Sequence, residues 1–193
     1  MTAKEGFMVE NRVGTIDFPG GKEFSVVVGD LLKEPVDCIV NAANGMLAHG
    51  GGVAAAIARA AGSRLVRDGD RIVREHGAIP TGGAVVTTAG DLPFKGVVHA
   101  VGPRMGQGEE EEKLVKALES SFLLAQEKGW ESLSFPGISS GIFAVPHDLC
   151  ARAYIRAVRQ FFTAHPDTPL RAIRLCLFEG PLLDAVKREM ETN

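Results

Sequence analysis

Two asparagines, Asn41 and Asn44, stand just ahead of a histidine, His49, and a run of three glycines, Gly50 to Gly52. An asparagine amide offers both a carbonyl acceptor and an NH2 donor, a set suited to sugar hydroxyls. Glycine is required where backbone approaches a ligand closely. The residues that follow, Val53-Ala-Ala-Ala-Ile57-Ala-Arg-Ala-Ala61, have strong helix propensity. The glycines therefore feed a helix amino-terminus, whose free N–H groups and positive dipole end favour an anion. The chemistry suggested is recognition of a phosphorylated, hydroxyl-bearing ligand.

The elements that must position these residues can be read on either side. Cys38 to Asn41 is a continuous apolar strand that leads into the asparagines, a pattern suited to a strand buried on both faces of a sheet. Val9 to Asp17 and Glu23 to Val28 read as strands joined by a turn at Phe18-Pro19-Gly20-Gly21. Val53 to Ala61 and Leu65 to Glu75 read as helices broken near Gly62-Ser63, and Ala84 to Thr88 and Val97 to Val101 as strands. A helix is expected from the acidic run Glu109 to Glu112 to Gly129, with Leu114, Leu118, Phe122 and Ala125 on one apolar face. Ser132 to Phe135 and Ile173 to Phe178 are strands, and His147 to Phe162 and Pro181 to Met190 helices. Alternating strand and helix in the latter part indicates a mostly parallel sheet covered on both faces.

Ligands of open parallel sheets bind at the carboxyl ends of the strands. Four segments leave such ends: Gly29-Asp30-Leu31, Asn41 to Gly52, Gly137 to Ala144 and Phe178-Glu179. Together they would supply two glycine-bearing loops for a diphosphate, a carboxylate (Asp30) able to accept from an adenine-type amine, and an aromatic (Phe178) able to stack on a base. No Gly-x4-Gly-Lys-[Ser/Thr] sequence is present, which excludes a P-loop. The glycines also lie too far beyond Val40 for a Rossmann fingerprint. Neither a metal-ligand cluster nor a Ser-His-Asp motif accompanies them, and no cofactor is implied.

Composition narrows the class further. The chain has 193 residues, 45% hydrophobic and 23% charged, with formal net charge −3. That size suits one domain, and that charge gives no global field for nucleic acid. Cys38, Cys150 and Cys176 are odd in number and widely spaced, as expected for reduced, buried thiols. Neither a signal peptide nor a membrane span is read, so a cytoplasmic protein without membrane contact is expected.

The segments Gly29-Asp30-Leu31, Asp37-Cys-Ile-Val-Asn41-Ala-Ala-Asn44, His49-Gly-Gly-Gly-Val53-Ala-Ala-Ala-Ile57, His99-Ala-Val-Gly-Pro103 and Gly137-Ile-Ser-Ser-Gly-Ile-Phe143 resemble the macro domain family in residues, order and spacing. The resemblance runs from about Val9 to Met190, closest to archaeal and viral-type members with His-Gly-Gly-Gly-Val-Ala. It implies a three-layer α/β/α sandwich around a mixed, mostly parallel sheet, in a single domain spanning 1–193 with a core over about 9–190 and a flexible tail over 1–8.

The resemblance also implies a cleft for ADP-ribose. Asp30, flanked by Gly29 and Leu31, matches the aspartate that accepts from the adenine amine, with a helix cap as the other reading. Phe178 resembles the aromatic that stacks on adenine. Asn44 matches the asparagine that holds the distal ribose, and is otherwise a turn residue. Gly51, Gly52 and Val53 would line the distal ribose and diphosphate. Ser139, Ser140, Gly141 and Ile142 would form the second diphosphate loop, with Phe143 packing on the distal ribose or on the core. Asn44, His49 and Gly52 are the candidates for the reaction itself. Asn41 and His99 are read as structural.

Two positions depart from the family pattern. Ala54 stands where one hydrolase branch has an aspartate thought to help activate water, and Ala144 where a glycine is usual. The activity implied is binding of ADP-ribose and hydrolysis of mono-ADP-ribose from acidic side chains, by a monomer whose partner is a mono-ADP-ribosylated protein. A reader without catalysis, a phosphatase acting on ADP-ribose 1″-phosphate and an O-acetyl-ADP-ribose deacetylase are the alternatives.

Overall fold

The computed structural model describes residues 11–192; the expected tail, and Val9 and Glu10 of the first expected strand, lie outside them. Among the described residues seven strands form one sheet: β1 (Arg12–Phe18), β2 (Lys22–Val28), β3 (Cys38–Ala42), β4 (Ala84–Thr87), β5 (Gly96–Ala100), β6 (Ser132–Phe135) and β7 (Ala172–Leu177). Five helices of the described residues surround it: α1 (Gly52–Ala61), α2 (Ser63–His76), α3 (Glu110–Glu127), α4 (His147–Ala164) and α5 (Pro181–Thr192). The sheet order is β1-β2-β7-β6-β3-β5-β4. Pairing is parallel from β2 through β5 and antiparallel only at the two edges, β1 with β2 and β4 with β5.

Side-chain alternation sorts the strands' residues between two cores. In β3, Cys38 and Val40 join the core built with α3, α4 and α5, whereas Ile39 faces the opposite side with Ile57 of α1 and Leu65 of α2. In β7, Ile173, Leu175 and Leu177 go to the first core and Cys176 to the second. The result is the three-layer α/β/α sandwich expected from the sequence. The apolar face read on α3 is the buried one: Leu114, Leu118, Phe122 and Ala125 are all fully buried.

Element bounds differ from the sequence reading by a residue or two, and one feature is additional. A single 3₁₀ turn, Leu31–Lys33, follows β2. Its cap is Asp30, whose Oδ1 accepts from the Leu32 N–H at 3.0 Å. The Phe18–Gly21 turn also contracts, because Phe18 ends β1 and Lys22 begins β2. Among the described residues no helix is long and apolar enough to cross a membrane.

Candidate functional site

Because β2, β7, β6, β3 and β5 run parallel, their carboxyl ends open on the same edge of the sheet. A cleft of about 720 Å³ lies there, within the range for small-molecule sites. The order of the strands fixes what stands where. The β2 exit carries Gly29, Asp30 and Leu31; β7 delivers Phe178 and Glu179; β6 gives Ser139, Ser140, Gly141, Ile142 and Phe143; β3 gives Asn44; and Arg104 follows β5. From β2 to β5 is four strand spacings of about 4.8 Å, roughly 19 Å. Gly51, Gly52 and Val53 complete the wall. Every residue assigned a ligand contact by the sequence thus lines one cleft.

At the β2–β7 end, the Gly29 N–H donates to the Leu177 carbonyl at 3.0 Å and locks the two exits together. Asp30 is half-exposed and keeps Oδ2 outside the cap bond, 3.8 Å from Lys33 Nζ. Phe178 is 78% exposed. An aromatic ring this open is not a core residue, and its face is available to a flat ligand.

In the middle, α1 begins at Gly52, with Gly51 as its cap. Gly51 makes no side-chain cap, so the first amides of α1 remain donors without helical acceptors. Gly52 has φ +58, a left-handed conformation that favours glycine. Opposite, the 137–145 loop is held from beneath: the Tyr154 hydroxyl donates to the Ile138 carbonyl at 2.6 Å, and the Val145 N–H donates to the Ser139 carbonyl at 3.0 Å. Ser139 and Ala144 have φ +68 and +57. A Cβ built at Gly51 would lie 3.6 Å from Ile142 Cδ1, so the two loops nearly meet across the cleft.

At the β3–β5 end, Asn44 is bonded to its own loop. Its Oδ1 accepts from the Met46 and Ala48 N–H groups at 3.0 and 3.1 Å, and its Nδ2 donates to the Ala48 carbonyl at 3.1 Å. This leaves one Nδ2 proton without a bond inside the loop. Ala54, the third residue of α1, is buried and lines the cleft with its methyl group.

His49 does not join them. It is absent from the cleft lining, and its ring lies 6.1 Å from that of His99. Burial holds its imidazole below the ordinary value, a shift opposed by Asp70.

His99 is fully buried, and burial, with His49 beside it, lowers its pKa to about 3. Its Nδ1 is 3.1 Å from Asn41 Nδ2 and its Nε2 2.8 Å from Thr87 Oγ1. With neutral imidazole, Asn41 donates to Nδ1 and Nε2–H donates to Thr87, whose hydroxyl donates in turn to the Thr88 carbonyl at 3.1 Å. Asn41 and His99 thus tie β3, β4 and β5 together beneath the site, the structural role read for them.

Arg104 and His147 are functional side chains of the lining to which sequence reasoning gave no role. Arg104 is the cationic one. It lies four residues beyond the end of β5 (Gly96–Ala100), so the rule that strand exits carry ligands would have found it. Its guanidinium sits 4.4 Å above the Phe143 ring.

Comparison with known proteins agrees with this geometry. The macro domain family profile matches residues 40–154. An uncharacterized protein of Thermotoga maritima is 50% identical over 158 residues, 81% of this chain and 26% of that protein; the chain spans about a quarter of that relative's length. A protein of Escherichia fergusonii named O-acetyl-ADP-ribose deacetylase is 44% identical over 142 residues, 72% of this chain and 80% of that protein. A mutant of the Oceanobacillus iheyensis macrodomain solved with ADPR superposes with a TM-score of 0.85 at 28% identity, covering 93% of this chain and 98% of the other. On the sequence match, the fold and the placement of the glycine loops together, this chain belongs to the macro domain family.

Proposed function

We propose that this protein binds ADP-ribose along the cleft and hydrolyses ester adducts at its distal ribose, first among them mono-ADP-ribose on acidic side chains. The observation that carries the reading is the linear order of chemistries in one cleft. A carboxylate and an open aromatic ring stand at the β2–β7 end, anion-binding amides in the middle and an asparagine at the β3–β5 end. That order matches adenine, diphosphate and distal ribose. Asp30 Oδ2 accepts from the adenine amine and Phe178 stacks on the ring. The amides of α1 and of the 139–143 loop hold the diphosphate, and Asn44 donates its remaining Nδ2 proton to a ribose hydroxyl.

Hydrolysis adds water across the ester, leaving a ribose hydroxyl on one product and a carboxylate and a proton on the other. Asp30 and Glu179, the carboxylates of the cleft lining, stand at the adenine end. Ala54 supplies none at the distal ribose, and the His49 ring lies beside His99 rather than in the lining. Water is then oriented by backbone groups, by Asn44 and by the ligand's own phosphate, so that positioning supplies most of the rate. Support for an O-acetyl ester as a second substrate comes from the 44% identity to the E. fergusonii deacetylase. The protein acts as a cytoplasmic monomer on a mono-ADP-ribosylated partner.

Two measurements test the reading. Calorimetry with ADP-ribose, AMP and NAD is expected to show micromolar affinity for ADP-ribose, about −8 kcal/mol. Absence of heat at millimolar ADP-ribose refutes it. A turnover panel of ADP-ribosyl-glutamate, ADP-ribosyl-arginine, ADP-ribose 1″-phosphate and O-acetyl-ADP-ribose is expected to show release from the esters, reduced in Asn44→Ala. If wild type and Asn44→Ala release equally little while binding persists, the protein is a reader.

A further inference from the structure

The charges that line the cleft are unevenly distributed. Asp30 and Glu179 stand at the β2–β7 end, and Arg104 is the one lysine or arginine of the lining, at the β5 exit. Among the described residues no carboxylate lies within ion-pair distance of its guanidinium. The charged side chains that open α3 are consumed locally. Glu110 Oε1 accepts from the Gly106 and Gly108 N–H groups at 2.8 and 2.9 Å, and Lys113 Nζ donates to the Gln107 and Gly108 carbonyls at 3.1 and 2.6 Å.

Arg104 is nevertheless held in place. Its N–H donates to Gln107 Oε1 at 3.1 Å, the next N–H, of Met105, donates to the Phe143 carbonyl at 2.8 Å, and the guanidinium rests on the Phe143 ring. A guanidinium on an aromatic face is oriented without spending its five N–H donors. It presents a planar fork suited to phosphate or carboxylate. In sheet order it lies one strand beyond Asn44, which places it past the diphosphate loops, where a group attached to the distal ribose must emerge.

We infer that Arg104 is a specificity-determining residue for binding: it raises the affinity of ADP-ribose adducts that carry an anionic group on the distal ribose, such as the 1″-phosphate, above that of the neutral esters, which the rest of the cleft holds without it. The inference rests on the orientation of ADP-ribose proposed above. It adds a preference that the diphosphate and adenine contacts cannot supply, because they are common to every adduct. Arg104 is itself exposed, so its attraction for an added anion rests on the oriented fork and shrinks with added salt.

The test is calorimetric titration of wild type, Arg104→Ala, Arg104→Lys and Arg104→Glu with ADP-ribose, O-acetyl-ADP-ribose and ADP-ribose 1″-phosphate, at low and high salt. Thermal melting checks that each variant folds. The expected result is a loss in Arg104→Ala for the 1″-phosphate at least ten-fold larger than its loss for the other two ligands. Arg104→Lys should recover part of it, Arg104→Glu should exceed it, and the wild-type preference should narrow in salt. Equal losses for all three ligands, or no loss, overturn the inference while leaving the ADP-ribose reading intact. Failure of wild type to bind any of the three overturns both.

Discussion

Asn44 and Phe178 show how differently two residues of one cleft are built. The Asn44 amide organises its own loop through three hydrogen bonds. Removing it therefore disturbs backbone as well as ligand, and loss of affinity in Asn44→Ala mixes both effects. Phe178 is the cleaner probe. With the ring 78% exposed, Phe178→Ala should change thermal stability by less than about 0.5 kcal/mol, as for other surface positions. It should nonetheless weaken ADP-ribose binding by the worth of one stacked base, about 1–3 kcal/mol or roughly 5- to 150-fold in Kd. Denaturant melts and calorimetry on the same variant check the two halves together. A large fall in stability would return the ring to the core.

At the scale of elements, the 137–145 loop is the part most constrained by conformation. Ala144 occupies φ +57, where the Cβ of an L residue clashes with its own backbone. The family pattern has glycine there. Ala144→Gly is expected to relieve on the order of 1 kcal/mol of strain, partly offset by the greater freedom of glycine in the unfolded chain. The net stabilisation, a few tenths of a kcal/mol or more, would be read as a raised denaturation midpoint. Across the cleft, Gly52 at φ +58 is the opposite case. Gly52→Ala should cost about 1–2 kcal/mol of stability and weaken ADP-ribose binding, because the strain falls on the amides that open α1. Melting and calorimetry again provide the readout.

At the scale of the molecule, the buried imidazole beneath the site couples folding to pH. Burial keeps His99 neutral, with a pKa of about 3 against an ordinary 6.5, and lowers His49 in the same direction. An unfolded chain protonates both near 6.5, so between that value and about 3 the unfolded state binds more protons. Stability is therefore complete above pH 6.5 and falls as pH drops, by up to about 1.4 kcal/mol per unit from His99. Urea melts between pH 7 and 4.5, above the ordinary carboxylate range, should show this slope, and His99→Gln should flatten it. A flat wild-type profile there would mean that the imidazole charges without opening the core.

Much of this was legible along the chain because it depends on neighbours in sequence. The continuous apolarity of β3, the acid-led amphipathic α3 and the glycine runs specify strand, helix and loop through local sterics and periodicity. They place Asn44, Gly52 and Ser139 at strand exits before any packing is known. Ala54, too, declares by its identity alone that no carboxylate stands there. Other features were decided only by tertiary structure. The His49 ring lies near that of His99, fifty residues away, and nothing in the His-Gly-Gly-Gly string records it. Arg104 acquires meaning from Phe143, reached through a different strand. The strand order β2-β7-β6-β3-β5, which sets adenine and distal ribose at opposite ends, arises from crossovers that bury apolar faces collectively. Sequence fixes which groups reach the edge of the sheet, because that is local; which of them meet is settled by the packing of the whole.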